Sequence, residues 1–371
     1  MRIACLKRLV LLLAVACALC ACTVREPLRI GFLGGISGRV ADLGISGRNG
    51  AMLAIDMRNA TGGIHGRAIE LVVEDDKQNP DIAKQSVARL IERKVEAIIG
   101  PMTSIIAMAC LPQINDAKMT MVSPTVSTTQ LSGIDDYFFR VISPTTAYAK
   151  KSADYHYTRL GKKRVAIAYD AENRAYTESW LADYRSTLLK HGGQIISTLP
   201  FLSSNDFDFS QLARQLLLKN PDAILMIANS VDTAMLAQQI RQLDSTVFIA
   251  TSEWAATERL IELGGKTIEG LAIEQLLDRD SQHPAFLAFR SAYMARYAVE
   301  PSFGALAGFD AANVVLDALA SRKKEQTLKQ AILTQRVFTG AQSEIRFDDM
   351  GDAQRETFMF VVRNGSFVRQ Q

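Results

Sequence analysis

Leu28-Arg29-Ile30-Gly31-Phe32-Leu33, followed by Gly34-Gly35, is the stretch that decides the fold. It is a short apolar run broken by paired glycines, and an apolar pattern of helical period follows over residues 47–60. A buried strand that feeds a helix is the unit of layered α/β proteins. The unit repeats: the pattern predicts strands at 69–74, 95–100 and 119–123, and helices at 81–93 and 107–117. Pro80-Asp81 suits a helix start, and Pro112 interrupts the second helix.

Around residues 142–144 the pattern restarts, with a helix at 147–160 and a buried strand at 164–169. Strands are then expected at 194–199, 223–227, 247–251 and 270–274, separated by helices at 177–191, 209–219, 232–243 and 258–263. Helices at 284–298, 305–321 and 328–334 and strands at 344–347 and 357–363 complete the chain. Two α/β series without a flexible join imply two lobes with a cleft between them, and such clefts bind small molecules.

Composition narrows the function. The 371 residues are 48% hydrophobic and 22% charged, which excludes a disordered chain and a multispanning membrane protein. Setting aside Arg2, Lys7 and Arg8 in the leader leaves 39 basic and 39 acidic residues. A neutral chain without a basic run offers nucleic acid no footprint, so no nucleic-acid partner is expected.

The leader itself has a basic start and an apolar run over residues 9–19, too short to span a bilayer comfortably. Residues 1–21 therefore read as a signal peptide. Leu19-Cys20-Ala21-Cys22 resembles a bacterial lipobox, which makes Cys22 the acylated first residue of the mature chain; ordinary secretion with cleavage nearby is the alternative. Of the five cysteines only Cys110 lies well beyond the leader junction, so no internal disulfide framework is expected and the thiol reads as a core residue.

Catalytic motifs fail one by one. Gly35-Ile36-Ser37-Gly38 and Gly44-Ile45-Ser46-Gly47 lack the spacing of a nucleophile elbow. Gly265-Lys266-Thr267 ends like a phosphate loop, but Leu260 stands where its first glycine belongs, and no dinucleotide glycine pattern follows Leu33. His65, His156, His191 and His283 have no nearby metal-ligand partner in sequence. No enzyme activity, cofactor or metal is expected. Asp75-Asp76, adjacent acids that point to opposite sides of a strand, read as a solvated strand end.

A set of short motifs adds a family. They are Gly34-Gly35-Ile36-Ser37-Gly38 with Gly44, Gly50-Ala51-Met52-Leu53-Ala54-Ile55, Gly62-Gly63-Ile64-His65-Gly66-Arg67, Glu74-Asp75-Asp76 with Asn79-Pro80, Ile98-Ile99-Gly100 followed by Ser104, and Val122-Ser123-Pro124. Tyr169-Asp170, Ser252-Glu253, Glu269-Gly270 and Gly308-Phe309-Asp310-Ala311-Ala312 follow. In order and spacing they resemble the periplasmic binding proteins of branched-chain amino acid ABC importers, the type I solute-binding fold. The resemblance implies an α/β protein of two Rossmann-like lobes with parallel-rich central sheets joined by a three-segment hinge. One lobe takes residues 28–143 and 276–335, the other residues 144–275 and 336–371.

It also implies a ligand site. A free amino acid carries two charges that need partners once the cleft shuts. Ser104, ahead of an apolar helical run, matches the family's carboxylate-binding serine and suits an anion at a helix N-terminus. Ser127 aligns with a family hydroxyl, with Thr128 as its substitute if the loop register shifts, and Thr125 or Val126 offers a backbone carbonyl. Glu253 matches the acid that pairs with the ligand ammonium, and Tyr176 matches the tyrosine of the second lobe, two residues further from Asp170 than usual.

Trp254 stands in place of a small residue, Leu43 in place of a covering aromatic, and Ser230 and Val231 where another ring is common. Leucine, isoleucine or valine is therefore not assumed, and another amino acid, an amide or an aromatic acid stays open. The expected function is a lipid-anchored periplasmic receptor that delivers an amino-acid-like solute to an ABC permease. The alternative is a sensor lipoprotein of the same fold that signals to an envelope partner.

Overall fold

The computed structural model describes residues 26–370, so the signal peptide at 1–21, the lipidation site Cys22 and the last residue of the second lobe's 336–371 segment lie outside it. In chain order the elements are β1 (Leu28–Gly34), α1 (Ala41–Ala60), β2 (Ile69–Asp75), α2 (Pro80–Glu92), β3 (Ile98–Ile99), α3 (Ser104–Asp116), β4 (Met121–Ser123) and β5 (Phe138–Arg140). Then come α4 (Thr145–Asp154), β6 (Arg164–Asp170), α5 (Arg174–Lys190), β7 (Gln194–Phe201), α6 (Phe209–Leu217), β8 (Ala223–Ile227), α7 (Ser230–Leu243), β9 (Phe248–Thr251), α8 (Glu258–Gly264) and β10 (Ala272–Gln275). The chain closes with α9 (Pro284–Tyr297), α10 (Phe303–Ser321), α11 (Leu328–Gln335), β11 (Val337–Thr339), β12 (Glu344–Arg346), β13 (Phe358–Arg363) and β14 (Ser366–Arg369).

The strands form two main sheets. The first runs β2-β1-β3-β4-β5, with every pairing parallel. The second runs β14-β13-β10-β9-β8-β6-β7, parallel from β10 to β7 and antiparallel where β13 and β14 are added. Leaving those two strands aside, both sheets share one strand order, with the second strand outside the first and the third on its other side. In such sheets ligands settle beyond the carboxyl ends of the strands, where the order reverses. The two-lobed α/β class expected from the sequence is the one observed.

Helix α1 begins at Ala41, six residues before the expected start. Of its early glycines, Gly44 packs on the backbone of Gly35, while Gly47 and Gly50 are contact points between helices. A Cβ at Gly50 would come 2.0 Å from the Ala305 carbonyl oxygen, and one at Gly308 would come 2.1 Å from that of Gly47. Only hydrogen at these positions lets α1 and α10 touch backbone to backbone. Helix α10 is long and apolar enough to cross a membrane, yet it is mostly buried within this protein.

The third crossing falls later than residue 336. The β11–β12 ribbon lies with the first sheet: Phe347 meets Phe139 edge-on at 5.7 Å, and Ala341 N–H donates to Asp310 Oδ1 of α10 at 2.7 Å. The crossing comes after Phe347, where Arg355 N–H donates to Ser143 Oγ at 2.8 Å and Ser143 Oγ donates to the Arg355 carbonyl at 3.0 Å. A fully buried Arg355–Asp310 pair at 2.6 Å and an Arg140–Asp352 pair at 2.6 Å fasten these strands. Hydrophobic order alone could not place this crossing, because both ribbon and strand read as β.

Candidate functional site

The carboxyl ends of β1, β3 and β4 face those of β6, β8 and β9 across the lobes. Ser104 is the first residue of α3, directly after β3, and Thr103 is the N-cap. Its side chain is buried and its Oγ accepts from Thr128 N–H at 3.4 Å. Thr125 donates its hydroxyl to the Met102 carbonyl at 2.6 Å, which holds the β4 loop against the start of α3.

From the other lobe, Glu253 opens a short 3-10 turn after β9. It is buried, and its carboxylate accepts from Trp180 Nε1–H at 2.9 Å and, across the lobes, from Ser127 Oγ at 3.4 Å. Burial drives its pKa up against these hydrogen bonds. Tyr176 packs edge-on against Trp254 at 5.6 Å, and its hydroxyl is buried beside Glu253 and Ser252.

Ser104, Thr125, Tyr176 and Glu253 line one hollow between the lobes, together with Leu43, Met102, Thr103, Asn173, Trp254 and Phe303. Two expected residues do not line it. Val126 packs into the first lobe's core with Ile106 and Leu131, and Ser127 touches Glu253 from beside the hollow. Sequence reasoning does not reach Asn173, Met102 and Phe303. Asn173 carries a usable signal, since an Asn just ahead of a helical run suits a cap. Its Oδ1 instead accepts from Ile105 N–H of the opposite lobe at 3.1 Å, satisfying one of the free N–H groups at the start of α3.

The lobes are closed on each other. At the outer rim Asp42 Oδ2 accepts from both Ser230 Oγ and Thr257 Oγ1 at 2.7 Å, and Arg39 reaches across to Asn205 at 3.2 Å and to buried Asp232. Thus Ser230, where a ring was expected, is a closure contact. The free volume of the hollow is about 20 Å³, little more than one water requires. Trp254, which departs from the family's small residue, occupies much of the wall.

A larger groove of about 670 Å³ lies beside α4 and β13, lined by Lys151, Asp154, Arg159, Glu356 and Arg369 among others. It is open and polar, and none of its lining atoms is a buried group without a partner among the described residues. The smaller hollow has the convergent polar groups that mark a ligand site.

Asp75 is not simply a solvated strand end. Its carboxylate accepts from Ile36 N–H at 3.0 Å and Ser37 Oγ at 2.5 Å, pinning the loop after β1, while Asp76 is buried and accepts from Gln78 N–H at 2.7 Å. His156, fully buried, shares a hydrogen bond of 2.9 Å with Tyr184 and is held neutral, its pKa pushed down to about 3 by burial. Cys110 is a buried core residue, with burial raising its thiol pKa to about 12.

Comparison with known proteins agrees with this fold. Residues 27–366 match the periplasmic binding protein family. A Leu/Ile/Val-binding protein of Rhizobium johnstonii is 23% identical over 335 residues, covering 89% of this chain and 90% of the relative. The crystal structure of a leucine-binding protein of Thermotoga maritima superposes with a TM-score of 0.84 at 28% identity, over 93% of this chain and 98% of the other. The branched-chain amino acid transporter substrate-binding protein of Streptococcus pneumoniae, solved with isoleucine, gives 0.85 at 24% identity, over 93% and 100% of the two chains.

Proposed function

The chain belongs to the periplasmic binding protein family, and on that premise we propose that it captures an amino acid or a close analogue between its lobes. The observation that carries the reading is the pairing of unlike walls around one hollow: the N-terminal turn of α3 with Ser104 on one side, Glu253 on the other. A helix start attracts an anion through its free N–H groups and dipole, and a buried carboxylate attracts a cation. A molecule with a carboxylate and an ammonium a few ångströms apart satisfies both. A plain aromatic acid leaves Glu253 without a counter-charge, which burial makes costly.

The tightness of the hollow implies that an amino acid enters with the lobes parted, and that they close around it with Trp254 and Met102 adjusting to its side chain. Ligand contacts made from both lobes at once favour the closed form, and a partner that reads closure then receives the signal. By the likeness to importer proteins that partner is an ABC permease, and the chain is held at the outer face of a bacterial membrane by a lipid on Cys22. Mass analysis of the N-terminal peptide from a membrane fraction tests the anchor, since an unacylated terminus rejects it.

A thermal-shift screen tests the ligand. A solute that binds only the folded state raises the melting temperature, by an increment that grows with its concentration over Kd. Amino acids are expected to shift it, and benzoate, which has no ammonium, is not. A shift from acids alone, or none from any amino acid, overturns the reading.

A further inference from the structure

Behind Glu253 lies a second acid that no ligand contact explains. Glu274, near the carboxyl end of β10, is fully buried, and among the described residues no donor makes a well-formed hydrogen bond to either carboxylate oxygen. Strand β10 runs beside β9 with Ile273 opposite Thr251, which sets Glu274 next to Ser252 and Glu253, and α4, with Tyr148 and Ser152, packs on β10. The Ser152 hydroxyl favours the charge of Glu274, Glu253 opposes it, and that charge acts in turn on Tyr148, Tyr176 and Tyr184. Native interiors rarely leave polar groups in this state without a purpose.

The charge balance is the second observation. Arg355 and Arg140 act on Tyr148, which flanks the cluster, and both guanidiniums are committed to Asp310 and Asp352. His156, from the turn after α4, is buried and neutral. Two adjacent buried carboxylates, with no cation paired to either among the described residues, cannot both be ionised. The hydrogen bonds decide which one keeps the negative charge: Glu253 accepts from Trp180 Nε1–H and Ser127 Oγ, whereas Glu274 accepts from neither.

We infer that Glu274 is a positioning residue that makes the ligand-free site hold one proton on the Glu253–Glu274 pair, and that a cationic group of the ligand enters in exchange for that proton. The inference rests on the amino-acid reading of the same hollow. No covalent bond is made: a carboxyl O–H ionises, its proton passes to the buffer, and the incoming ammonium replaces it as counter-charge. Burial and the charge of Glu253 both raise the pKa of Glu274, and burial raises that of Glu253, which is the direction this requires.

The sign of the linkage follows. A carboxyl whose pKa is raised in the folded state binds more protons folded than unfolded, so its contribution to stability is full below the ordinary glutamate range and is lost as pH climbs through the folded value. In the ligand-free protein the unfolding equilibrium constant therefore rises by up to about tenfold per pH unit for each such proton. Its cationic ligand binds more tightly over the same climb.

The experiment compares the full-length protein with Glu274→Gln, which keeps shape and removes the second charge. Denaturant unfolding between pH 5 and pH 8.5 is expected to show the wild type losing stability more steeply than the variant; equal slopes overturn the inference. Carbon-13 carboxyl shifts of glutamate-labelled wild-type protein give a reading that needs no variant. A glutamate carboxyl still protonated at pH 6 is expected, and ionisation of every one below pH 5 overturns the inference. Calorimetric titration with L-alanine and L-leucine at pH 7, in phosphate and in Tris, is expected to reveal proton release in the wild type that the variant lacks. Binding with equal proton release in both overturns it. If neither amino acid binds, the two ligand-free measurements still judge Glu274, and the thermal-shift screen judges the amino-acid reading separately.

Discussion

The two walls of the cleft are built on the same strand order and solve opposite electrostatic problems. On the first lobe, Ser104 and Thr125 are neutral, and their hydroxyls tie the start of α3 and the loop after β4 to each other's backbone. That wall attracts an anion through the free N–H groups of α3 and the hydroxyl proton of Ser104, whose oxygen alone is used by Thr128 N–H, and neither costs a buried charge. On the second lobe the corresponding strand ends carry Glu253 and Glu274, buried acids with no cation paired to either among the described residues. One wall offers weak, permanent dipoles; the other offers a strong charge that must be neutralised. The difference teaches that the second lobe should dominate both affinity and pH response.

Glu253→Gln breaks the comparison hardest. Removing one partner of a buried, hydrogen-bonded charge pair costs about 2–5 kcal/mol, so affinity for the amino acid that gives the largest thermal shift is expected to fall by at least ~30-fold. Calorimetric titration measures it, and unchanged affinity would show that the acid faces no ligand charge. Ser104→Ala probes the weaker wall. One hydrogen bond to a charged group is worth about 1.5–3 kcal/mol, which predicts a loss of roughly 10- to 100-fold with Glu253 intact, checked by the same titration. A loss exceeding that of Glu253→Gln would reverse the ranking of the walls.

Asp42→Asn sharpens the comparison at the rim, where the lobes meet without ligand. Asp42 accepts from Ser230 and Thr257 of the second lobe, and weakening these contacts favours the open form. A reduction in affinity of about fivefold or less, near 1 kcal/mol, is expected. Small-angle scattering should show the ligand-free variant more extended than the wild type, and identical profiles would mean that this rim does not hold the lobes shut.

Much of the fold is legible in the amino-acid sequence. Alternating strand and helix patterns place β1, β2, β6 and β8 within a residue or two, because each carries a complete apolar run bounded by turn residues. Strands β5 and β14 escape the pattern, as each is only three or four residues long and ends in an arginine that breaks its apolar run. Ser104 and Glu253 stand out because each sits just beyond a strand end, and the structure brings both to one hollow. Val126 and Ser127 lie in the same loop as Thr125 yet away from the lining. Consecutive loop residues look alike in sequence, and only the loop's path decides which one turns inward.

What the sequence determined by itself was the alternation of elements and the residue types available at the strand ends, since both follow from local periodicity and turn chemistry. Tertiary structure alone decided that Asn173 would cap a helix of the opposite lobe, that Ser230 would close the rim, and that Glu274 would lie behind Glu253 with Arg140 and Arg355 already paired elsewhere. Each of these depends on contacts between segments far apart in the chain. The free energy of a charge is set by everything around it in three dimensions, and no stretch of sequence contains that surrounding.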